Sequence, residues 1–493
     1  MPESNQAERT TKAGYLAVSE IVNTATRLGA MILLARIFSK AEFSDYRQVL
    51  LPYAFIMPLL ALGLPDGLLY FLSIHRDRAR NVLANNLAVL FGTSLLLFLF
   101  VLLGGNHLLA WGFNNPDLSA AYLIFAPFAL LSLPTAPLRS CLVVMGRLKS
   151  LAGYLVVSRL VVFFAVVGAA WYFRSYEATV MALVISTGLF LPVAVWLMRR
   201  SCETGEWRVD TPEMCTQVGY SLPLGLSMII NQLSRNLDKV VVAAMCPKET
   251  FAAYVIGAME LPIINIVANS AASVITPDFA ELYRDGKKAE MMALWRRTTV
   301  KCASIILPVM MFLLWAAEPA VIGVFTDRYT DSVIIFQIYL FLLPMRMFVF
   351  GPIFLATKQT KKIILRSVVA IVLNAFLTIT LTMQFGYIGA AIATVLTFVV
   401  WIFPYNIWFS CKYLQADLME FFDVRKLVLI LFCSVSGCMI FLLPSSMRPS
   451  QPIFEVIELA IMYFGSVGLM LHAFGLINLQ KIMVGVYQSL MKR

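Results

Sequence analysis

Long apolar runs alternate with short polar segments along almost the whole chain. Each run is about 20 residues long, the length that an α-helix needs to cross a hydrocarbon core about 30 Å thick. The pattern predicts an all-α membrane protein with about fourteen transmembrane helices. The predicted spans are 14–38, 43–64, 82–104, 119–144, 151–172, 178–198, 216–245, 251–275, 302–325, 333–357, 367–385, 388–411, 427–444 and 454–477.

The amino-acid composition supports the same class. Of the 493 residues, 60% are hydrophobic and only 14% are charged, whereas charged residues make up about 25% of a soluble domain. The chain therefore lacks the charged side chains that a soluble surface of this size needs. The polar stretch Met1 to Ala13 has no apolar core before a cleavage site, so we do not expect it to be a signal peptide.

Lysine and arginine are unevenly distributed between the two sides of the predicted spans. One set of alternate segments, which includes both chain ends, holds most of them. Because these residues concentrate in cytoplasmic loops, we expect both termini to be cytoplasmic. The residues left on the opposite side are Lys40, Arg174, Lys248, Arg328 and Arg448. The net charge of +11 then reflects topology and attraction to anionic headgroups, and we expect no nucleic-acid partner.

The first half of the chain is related to the second by a constant offset, which brings Asn23 onto Asn231 and Arg27 onto Arg235. Further identities at that offset are Ser19/Ser227, Ile21/Ile229, Ala35/Ala243, Lys40/Lys248, Phe43/Phe251 and Tyr46/Tyr254. A slightly longer offset pairs Pro65-Asp66 with Pro277-Asp278 and Lys149 with Lys361. An even number of spans separates the copies, which predicts two parallel six-helix repeats. Lys40 and Lys248 occupy matched outer turns, and we expect both to be solvated.

The repeat divides the chain into predicted domains. The N-lobe covers 1–200 and the C-lobe covers 215–411, with six spans each. Two additional helices follow in 427–477, and 478–493 is predicted to be a cytoplasmic amphipathic tail. Transporters built from such repeats bind their substrate between the halves and rock one half against the other.

Each repeat begins with a helix that carries a polar stripe. In the first, Glu20, Asn23 and Arg27 share one helical face, and the stripe of the seventh span begins with Asn231 and Arg235. An arginine fork suits phosphate oxygens, so the two arginines are candidates to clamp a pyrophosphate in a cationic cavity. The further candidates for this cavity are Lys239, Arg139, Arg159 and Arg346. The structural alternative pairs each arginine with the carboxylate of its own stripe, Glu20 or Asp238.

Three acids are the candidates for ion coupling, namely Glu20, Asp238 and Glu260. An ionisable group inside a span is costly and usually has a function or a partner. We therefore expect H⁺ or Na⁺ as a possible coupling ion, and permanent ion pairing is the alternative. We expect no other cofactor and no metal site, because the eight cysteines and three histidines are scattered along the chain.

Enzymatic motifs are missing from the sequence. It contains no G-x-x-x-x-G-K-[ST] loop, no G-x-S-x-G and no H-E-x-x-H. No loop is long enough to form a catalytic domain. We therefore expect a transporter and not an enzyme, driven by an ion gradient, the membrane potential or the cargo gradient.

Short motifs between the spans carry a family resemblance. They are Gly63-Leu64-Pro65-Asp66-Gly67, Met145-Gly146-Arg147-Leu148-Lys149, Pro277-Asp278-Phe279-Ala280-Glu281-Leu282-Tyr283 and the Gly386 to Thr394 stretch GYIGAAIAT. In their order and with the span layout, the chain resembles the polysaccharide transporter branch of the multidrug/oligosaccharidyl-lipid/polysaccharide (MOP) exporter superfamily. It looks most like an O-antigen (Wzx-like) flippase, and the resemblance covers nearly the whole chain.

The resemblance implies a V-shaped pair of six-helix lobes that works by alternating access. It also implies an undecaprenyl-pyrophosphate-linked oligosaccharide as cargo, moved from the inner to the outer leaflet of the bacterial cytoplasmic (inner) membrane. Expected partners are this lipid-linked oligosaccharide, the membrane lipids and polysaccharide polymerase machinery.

Two other cargos remain open. A lipid II-type peptidoglycan precursor flippase would also need a cationic cavity, so the sequence does not separate it from the first hypothesis. A MATE-type drug/cation antiporter would need an acidic cavity for organic cations. Intramembrane Arg and Lys outnumber the acids, which argues against the antiporter.

Overall fold

The computed structural model describes residues 3–357, 359–417, 421–442 and 452–477, with the backbone alone for 3–13, 360 and 361. All regular secondary structure in these ranges is helical, which confirms the predicted all-α class. The predicted tail 478–493 lies outside the described residues, as do Lys358 and Arg448.

Packing divides the chain into two compact units, Met1–Ala252 and Ala253–Arg493. The helices of the first unit are α1 (Glu3–Ile37), α2 (Lys40–Ala61), α3 (Leu64–Ile74), α4 (Ala79–Phe100), α5 (Asn106–Trp111), α6 (Leu118–Phe125), α7 (Pro127–Ser132), α8 (Pro137–Val144), α9 (Leu148–Phe173), α10 (Tyr176–Ser201) and α11 (Thr211–Met245). Helix α12 (Lys248–Gly257) crosses the boundary. The units follow packing, whereas the predicted lobes follow the sequence repeat, so the lobe boundaries stay a prediction.

The second unit is built in the same way from helices of uneven length. They are α13 (Pro262–Arg284), α14 (Lys288–Trp315), α15 (Ala317–Val324), α16 (Ser332–Leu340), α17 (Leu343–Arg346), α18 (Gly351–Ala356), α19 (Thr360–Thr397), α20 (Phe403–Leu414), α21 (Val424–Gly437) and α22 (Pro452–Ala473). Short 3-10 or π-helical segments lie at Arg76–Arg78, Val101–Gly105, Leu133–Thr135, Asp327–Tyr329, Phe398–Ile402 and Cys438–Leu442.

Within the described residues, 11 helical stretches are long and apolar enough to cross a membrane. The chain is thus a multi-pass membrane protein, but the predicted count of fourteen is not confirmed. The spans 367–385 and 388–411 fall in one 53-residue stretch, Lys362–Leu414. The span 216–245 lies within α11, which does not qualify by hydropathy because polar residues run along its length. The span 333–357 is broken into the short helices α16, α17 and α18.

Helix ends follow the sequence repeat closely. Helices α1 and α11 both have 35 residues, and their ends are related by the offset that relates Asn23 to Asn231. The next helices begin at the paired residues Lys40 and Lys248. Later in the chain, the longer offset relates Arg174 at the end of α9, with φ 50°, to Gly386 within α19, with φ 59°. The repeat is therefore present in the backbone as well as in the sequence.

The packing of the first unit brings α11 close to the junction of α2 and α3. Helix α2 ends at Ala61, and Leu62 follows with a φ of 50°. Gly63 continues with a φ of 70° that glycine adopts without strain. A Cβ added at Gly225 of α11 would lie 2.7 Å from the backbone nitrogen of Gly63. A Cβ at Gly67 would collide with the Ser221 hydroxyl. Glycine at these positions lets the two backbones touch, and this explains two glycines of the Gly63 to Gly67 motif.

Candidate functional site

The polar stripe of α1 is held against α9. The ring of Phe163 on α9 would lie 3.2 Å from a Cβ added at Gly29, so the two helices are in close contact at the depth of Arg27. About two turns of helix before Arg27, the Glu20 carboxylate accepts a hydrogen bond of 3.2 Å from the Arg139 guanidinium of α8. The partner of Glu20 in this structure is therefore Arg139, supplied by another helix.

Arg139 and Arg159 line one cavity inside the first unit. The cavity has a volume of about 420 Å³ and lies among α7, α8, α9 and α10. Its polar lining includes Ser132, Ser158 and the ring of Tyr154, beside apolar side chains. The predicted candidates Arg139 and Arg159 are thus brought together, although they are distant in sequence. The two guanidinium groups suit an anionic group of a ligand, and the hydroxyl groups beside them suit hydroxyl groups of the same ligand.

The Glu20–Arg139 pair leaves the cavity available to a ligand. The side chains of Arg139 and Glu20 are 60% and 52% free of contact with the rest of the protein. An entering phosphate can therefore reach the Arg139 guanidinium without displacing packed side chains. Arg139 combines a defined position with an accessible guanidinium, which is what a substrate-binding arginine requires.

Arg27 lies close enough to Arg47 of α2 for their positive charges to repel each other. The Arg27 side chain is exposed, and the structure gives it no ion pair within the described residues. Asn23 lies one turn away and is half-buried. The stripe of α1 thus presents a positive charge with no ion pair among the described residues, and its place in a cationic cavity stays a prediction.

The stripe of α11 is arranged differently. Asn231 and Arg235 are exposed, whereas Asp238 is only 4% exposed. The Lys239 ammonium donates hydrogen bonds of 3.2 Å to the Arg235 carbonyl oxygen and 3.5 Å to the Asn236 side-chain oxygen. Lys239 therefore folds back along its own helix toward the Arg235 turn.

The predicted clamp of Arg27 with Arg235 stays a prediction. Helix α1 packs mainly against α9, whereas α11 packs mainly against α2 and α3. The two arginines thus have different surroundings even though both belong to the first unit.

The third candidate acid, Glu260, belongs to a polar group in the second unit. It lies between α12 and α13, where its carboxylate is 3.6 Å from the Arg346 guanidinium of α17. Its other oxygen accepts a hydrogen bond of 2.9 Å from the Asn265 amide. Both charged side chains are partly exposed, at 39% for Arg346 and 44% for Glu260. Two residues that the sequence nominated separately thus form one pair.

Sequence reasoning missed a polar network at the end of α11. The Lys248 ammonium is 3.5 Å from the Asp45 carboxylate of α2, which is only 8% exposed. The Asn115 amide donates hydrogen bonds to Asp45 at 2.7 Å and to Gln48 at 3.0 Å. Gln48 in turn donates to the Ala243 carbonyl at 3.4 Å. The expectation that Lys248 is simply solvated was wrong. The sequence feature that could have indicated this network is Asp45, an acidic residue in the first turns of an apolar helix.

Metal binding finds no support in the described part of the chain, where no group of three or more His, Cys, Asp or Glu side chains is placed to hold an ion. The arrangement is instead one of cationic and neutral polar groups.

Comparisons with solved structures show the same fold in several membrane transporters. A lipid II flippase, MurJ, in an inward closed conformation superimposes with a TM-score of 0.74 at 16% identity, covering 94% of this chain and 98% of that chain. An inward-facing multidrug resistance MATE family transporter of the MOP superfamily gives 0.59 at 14% identity, covering 82% and 99%. A MOP superfamily transporter from Pyrococcus furiosus, whose binding pocket is described as reversed in polarity, gives 0.55 at 14% identity, covering 82% and 95%.

Sequence comparisons give a narrower answer. No curated protein sequence matches the chain. The family described as polysaccharide biosynthesis protein matches residues 33–334, which is more than half of the chain. This region contains α2 to α15 and the cationic cavity. The chain therefore belongs to the polysaccharide biosynthesis protein family.

Proposed function

We propose that this protein is a flippase for an undecaprenyl-pyrophosphate-linked oligosaccharide, such as an O-antigen, capsule or exopolysaccharide unit. It moves this lipid from the inner to the outer leaflet of the bacterial cytoplasmic membrane by alternating access. The observation that carries the proposal is the cavity of about 420 Å³ in which Arg139 and Arg159 lie beside Ser132, Ser158 and Tyr154. Guanidinium groups suit a pyrophosphate, and hydroxyl and aromatic groups suit the first sugar.

The route of the cargo follows from the repeat and the charge pattern. The lobes 1–200 and 215–411 would alternately expose the cationic surface to either side, with both termini in the cytoplasm. Arg27 and Arg235 would clamp the pyrophosphate during passage, with Asn23, Asn231 and Lys239 beside them. The protein performs no chemistry on its cargo, and Glu20, Asp238 or Glu260 would carry the coupling H⁺ or Na⁺. Polysaccharide polymerase machinery would receive the flipped product.

A lipid II-type precursor is the second candidate cargo. The similarity to MurJ, which is named a lipid II flippase and shares the fold over 94% of this chain, favours it. Both candidate cargos are lipid-linked anions, so a cationic cavity suits either. The family match to polysaccharide biosynthesis favours the oligosaccharide.

A drug/cation antiporter fits the cavity poorly. Acidic groups would balance the charge of an organic cation, whereas the described lining of the cavity contains Arg139 and Arg159 and no carboxylate. The MATE neighbours also superimpose less well on this chain than MurJ does, with TM-scores of 0.59 and 0.52.

The direct test is a reconstituted flipping assay. Purified protein is placed in vesicles that contain either undecaprenyl-pyrophosphate-linked oligosaccharide or lipid II, and a sugar-specific reagent detects molecules reaching the outer leaflet. We expect faster appearance of the oligosaccharide-linked lipid than of lipid II. Preference for lipid II would shift the assignment to the second cargo, and no movement of either lipid under any imposed ion gradient would contradict the flippase proposal.

A further inference from the structure

A second cationic cavity lies in the second unit, apart from the one described above. It has a volume of about 340 Å³ and is enclosed by the first half of α14, the start of α21 and the turn that follows α22. The charged side chains that line it are Arg296, Arg297, Lys301, Lys426 and Asp423. These residues come from three elements distant in sequence, so the cavity is a product of the fold.

The balance of charge in this cavity is strongly positive. Its one lining carboxylate, Asp423, is already paired with Lys426 at 2.8 Å. The hydrogen bond from Lys426 holds the pKa of Asp423 below its usual range, so this carboxylate stays ionised and occupied. Arg296, Arg297 and Lys301 form no ion pair among the described residues, although Arg296 is near enough to Asp423 to help stabilise its negative charge. One carboxylate therefore faces four cations, and the surplus positive charge is available to an anionic ligand.

An aromatic cluster fixes the walls of the cavity. Trp295, which precedes Arg296, is fully buried. Its ring centroid lies 4.2 Å from that of Phe421 and 5.8 Å from that of Phe350. This packing holds α14 against the chain that leads into Asp423. The cationic groups are thus carried by a rigid base, which lowers the entropic cost of binding.

The position of the cavity along the chain places it at a membrane boundary. Asp423 immediately precedes the candidate span Val424–Leu442, and Gly475 follows shortly after the candidate span Pro452–Ala473. The first of these spans therefore begins at the cavity, and the second ends there. The first half of α14 carries Arg296, Arg297 and Lys301 opposite a buried apolar face, which is the pattern of helices at a membrane interface.

We propose that this cavity binds the phosphate diester headgroup of an anionic phospholipid. Arginine forks bind phosphate oxygens in bidentate fashion, and basic pockets between helices at the membrane boundary suit anionic headgroups. Val300 and Leu476 complete the lining with apolar surface for the glycerol and the first methylenes. A freely soluble phosphate has no apolar part, so Val300 and Leu476 would not contribute to its binding. The lipid would join α14, α21 and α22 and act as a structural lipid, whatever cargo the protein carries.

The experiment uses the full-length protein purified in neutral detergent. Native mass spectrometry counts bound phosphatidylglycerol, and a lipid titration of the unfolding temperature gives its affinity, with phosphatidylcholine as the neutral comparison. In Arg297→Gln/Lys301→Gln both changed side chains are exposed, so the fold should persist. We expect this variant to bind phosphatidylglycerol at least about tenfold more weakly, since it loses two charged contacts.

The matched control is Arg199→Gln/Arg200→Gln, which removes two exposed positive charges from the end of α10. We expect it to bind phosphatidylglycerol like the wild type. Equal loss in both double variants would overturn the proposal, because the effect would then reflect net charge alone. Inorganic phosphate forms a further arm, and binding of free phosphate as tight as that of phosphatidylglycerol would overturn the assignment to a lipid.

Discussion

Helices α1 and α11, the first helices of the two repeats, have the same length, but their charged residues have different partners. On α1, Glu20 is engaged by Arg139 from another helix, and Arg27 is left as an uncompensated charge. On α11, Asp238 is buried and Lys239 bonds back to the Arg235 turn. The repeat has therefore kept the backbone while placing the polar groups in different surroundings. This difference suggests that the two stripes contribute unequally to transport.

The largest expected effect comes from removing both matched arginines. Arg27→Ala combined with Arg235→Ala should leave no flipping, because no guanidinium would remain at the predicted clamp. Each Arg→Lys variant keeps the charge but loses the bidentate fork, so partial loss is expected. The measurement is restoration of surface glycan in a flippase-null strain, with protein level checked by blot. Full restoration by the double alanine variant at normal expression would show that the pair is structural.

The single variants sharpen the comparison between the stripes. Since Arg27 is uncompensated and exposed, Arg27→Ala should impair flipping more than Arg235→Ala. Equal impairment would mean that the two helices act as equivalent halves in spite of their different surroundings.

The three candidate acids are expected to differ when each is changed to its amide. Glu20→Gln, Asp238→Asn and Glu260→Gln each remove a charge with little change in volume. At least one of them should abolish ion-coupled flipping while expression persists, because a coupling carboxylate must bind and release a cation. The assay is flipping in vesicles with an imposed H⁺ or Na⁺ gradient. Activity of all three amides under both gradients would end the coupling hypothesis for this set.

The cavity arginines should give a smaller effect that falls on substrate affinity. A charged-group contact to phosphate contributes about 1.5–3 kcal/mol, so Arg139→Ala and Arg159→Ala should each weaken cargo binding about ten- to a hundredfold. The control is Arg208→Ala, in an exposed segment outside the cavity lining. Binding of the lipid-linked cargo to purified protein is measured for all three variants. Equal affinities in the cavity variants and the control would remove the cavity from the proposed route.

The smallest expected effect concerns the free energy of unfolding. Asp45→Ala should destabilise the protein by about 1–3 kcal/mol, because Lys248 and Asn115 lose their buried acceptor. The matched variant is Glu203→Ala, whose side chain is 75% exposed and pairs with Arg147 at 3.1 Å. That surface pair should contribute less than about 1 kcal/mol. Unfolding in detergent measures both, and equal losses would contradict the structural role assigned to the buried network.

The sequence was sufficient to predict the helical class and the repeat. It also singled out the charged residues within the spans. The constant offset from Asn23 to Asn231 was readable because polar matches are improbable in an apolar chain. The same reasoning could not pair Glu20 with Arg139 or Glu260 with Arg346, because those contacts depend on how helices pack. The predicted count of fourteen spans is not confirmed for a related reason. Polar residues along α11 and breaks around α17 change hydropathy and helix length without revealing whether the segment crosses the membrane.

The glycine contact between α11 and the α2–α3 junction provides a way to change the populations of the conformers with and without this contact. A single methyl group at Gly225 would penalise every conformer in which the backbones of Gly225 and Gly63 touch, and leave conformers that separate them unaffected. An equilibrium between two states shifts by the difference in free energy between them, and about 1.4 kcal/mol changes the ratio tenfold. Gly225→Ala would therefore act as an intrinsic conformational bias, applied without any ligand. Glycine at position 225 is therefore a position where one added carbon atom would change the equilibrium between conformers with and without this contact.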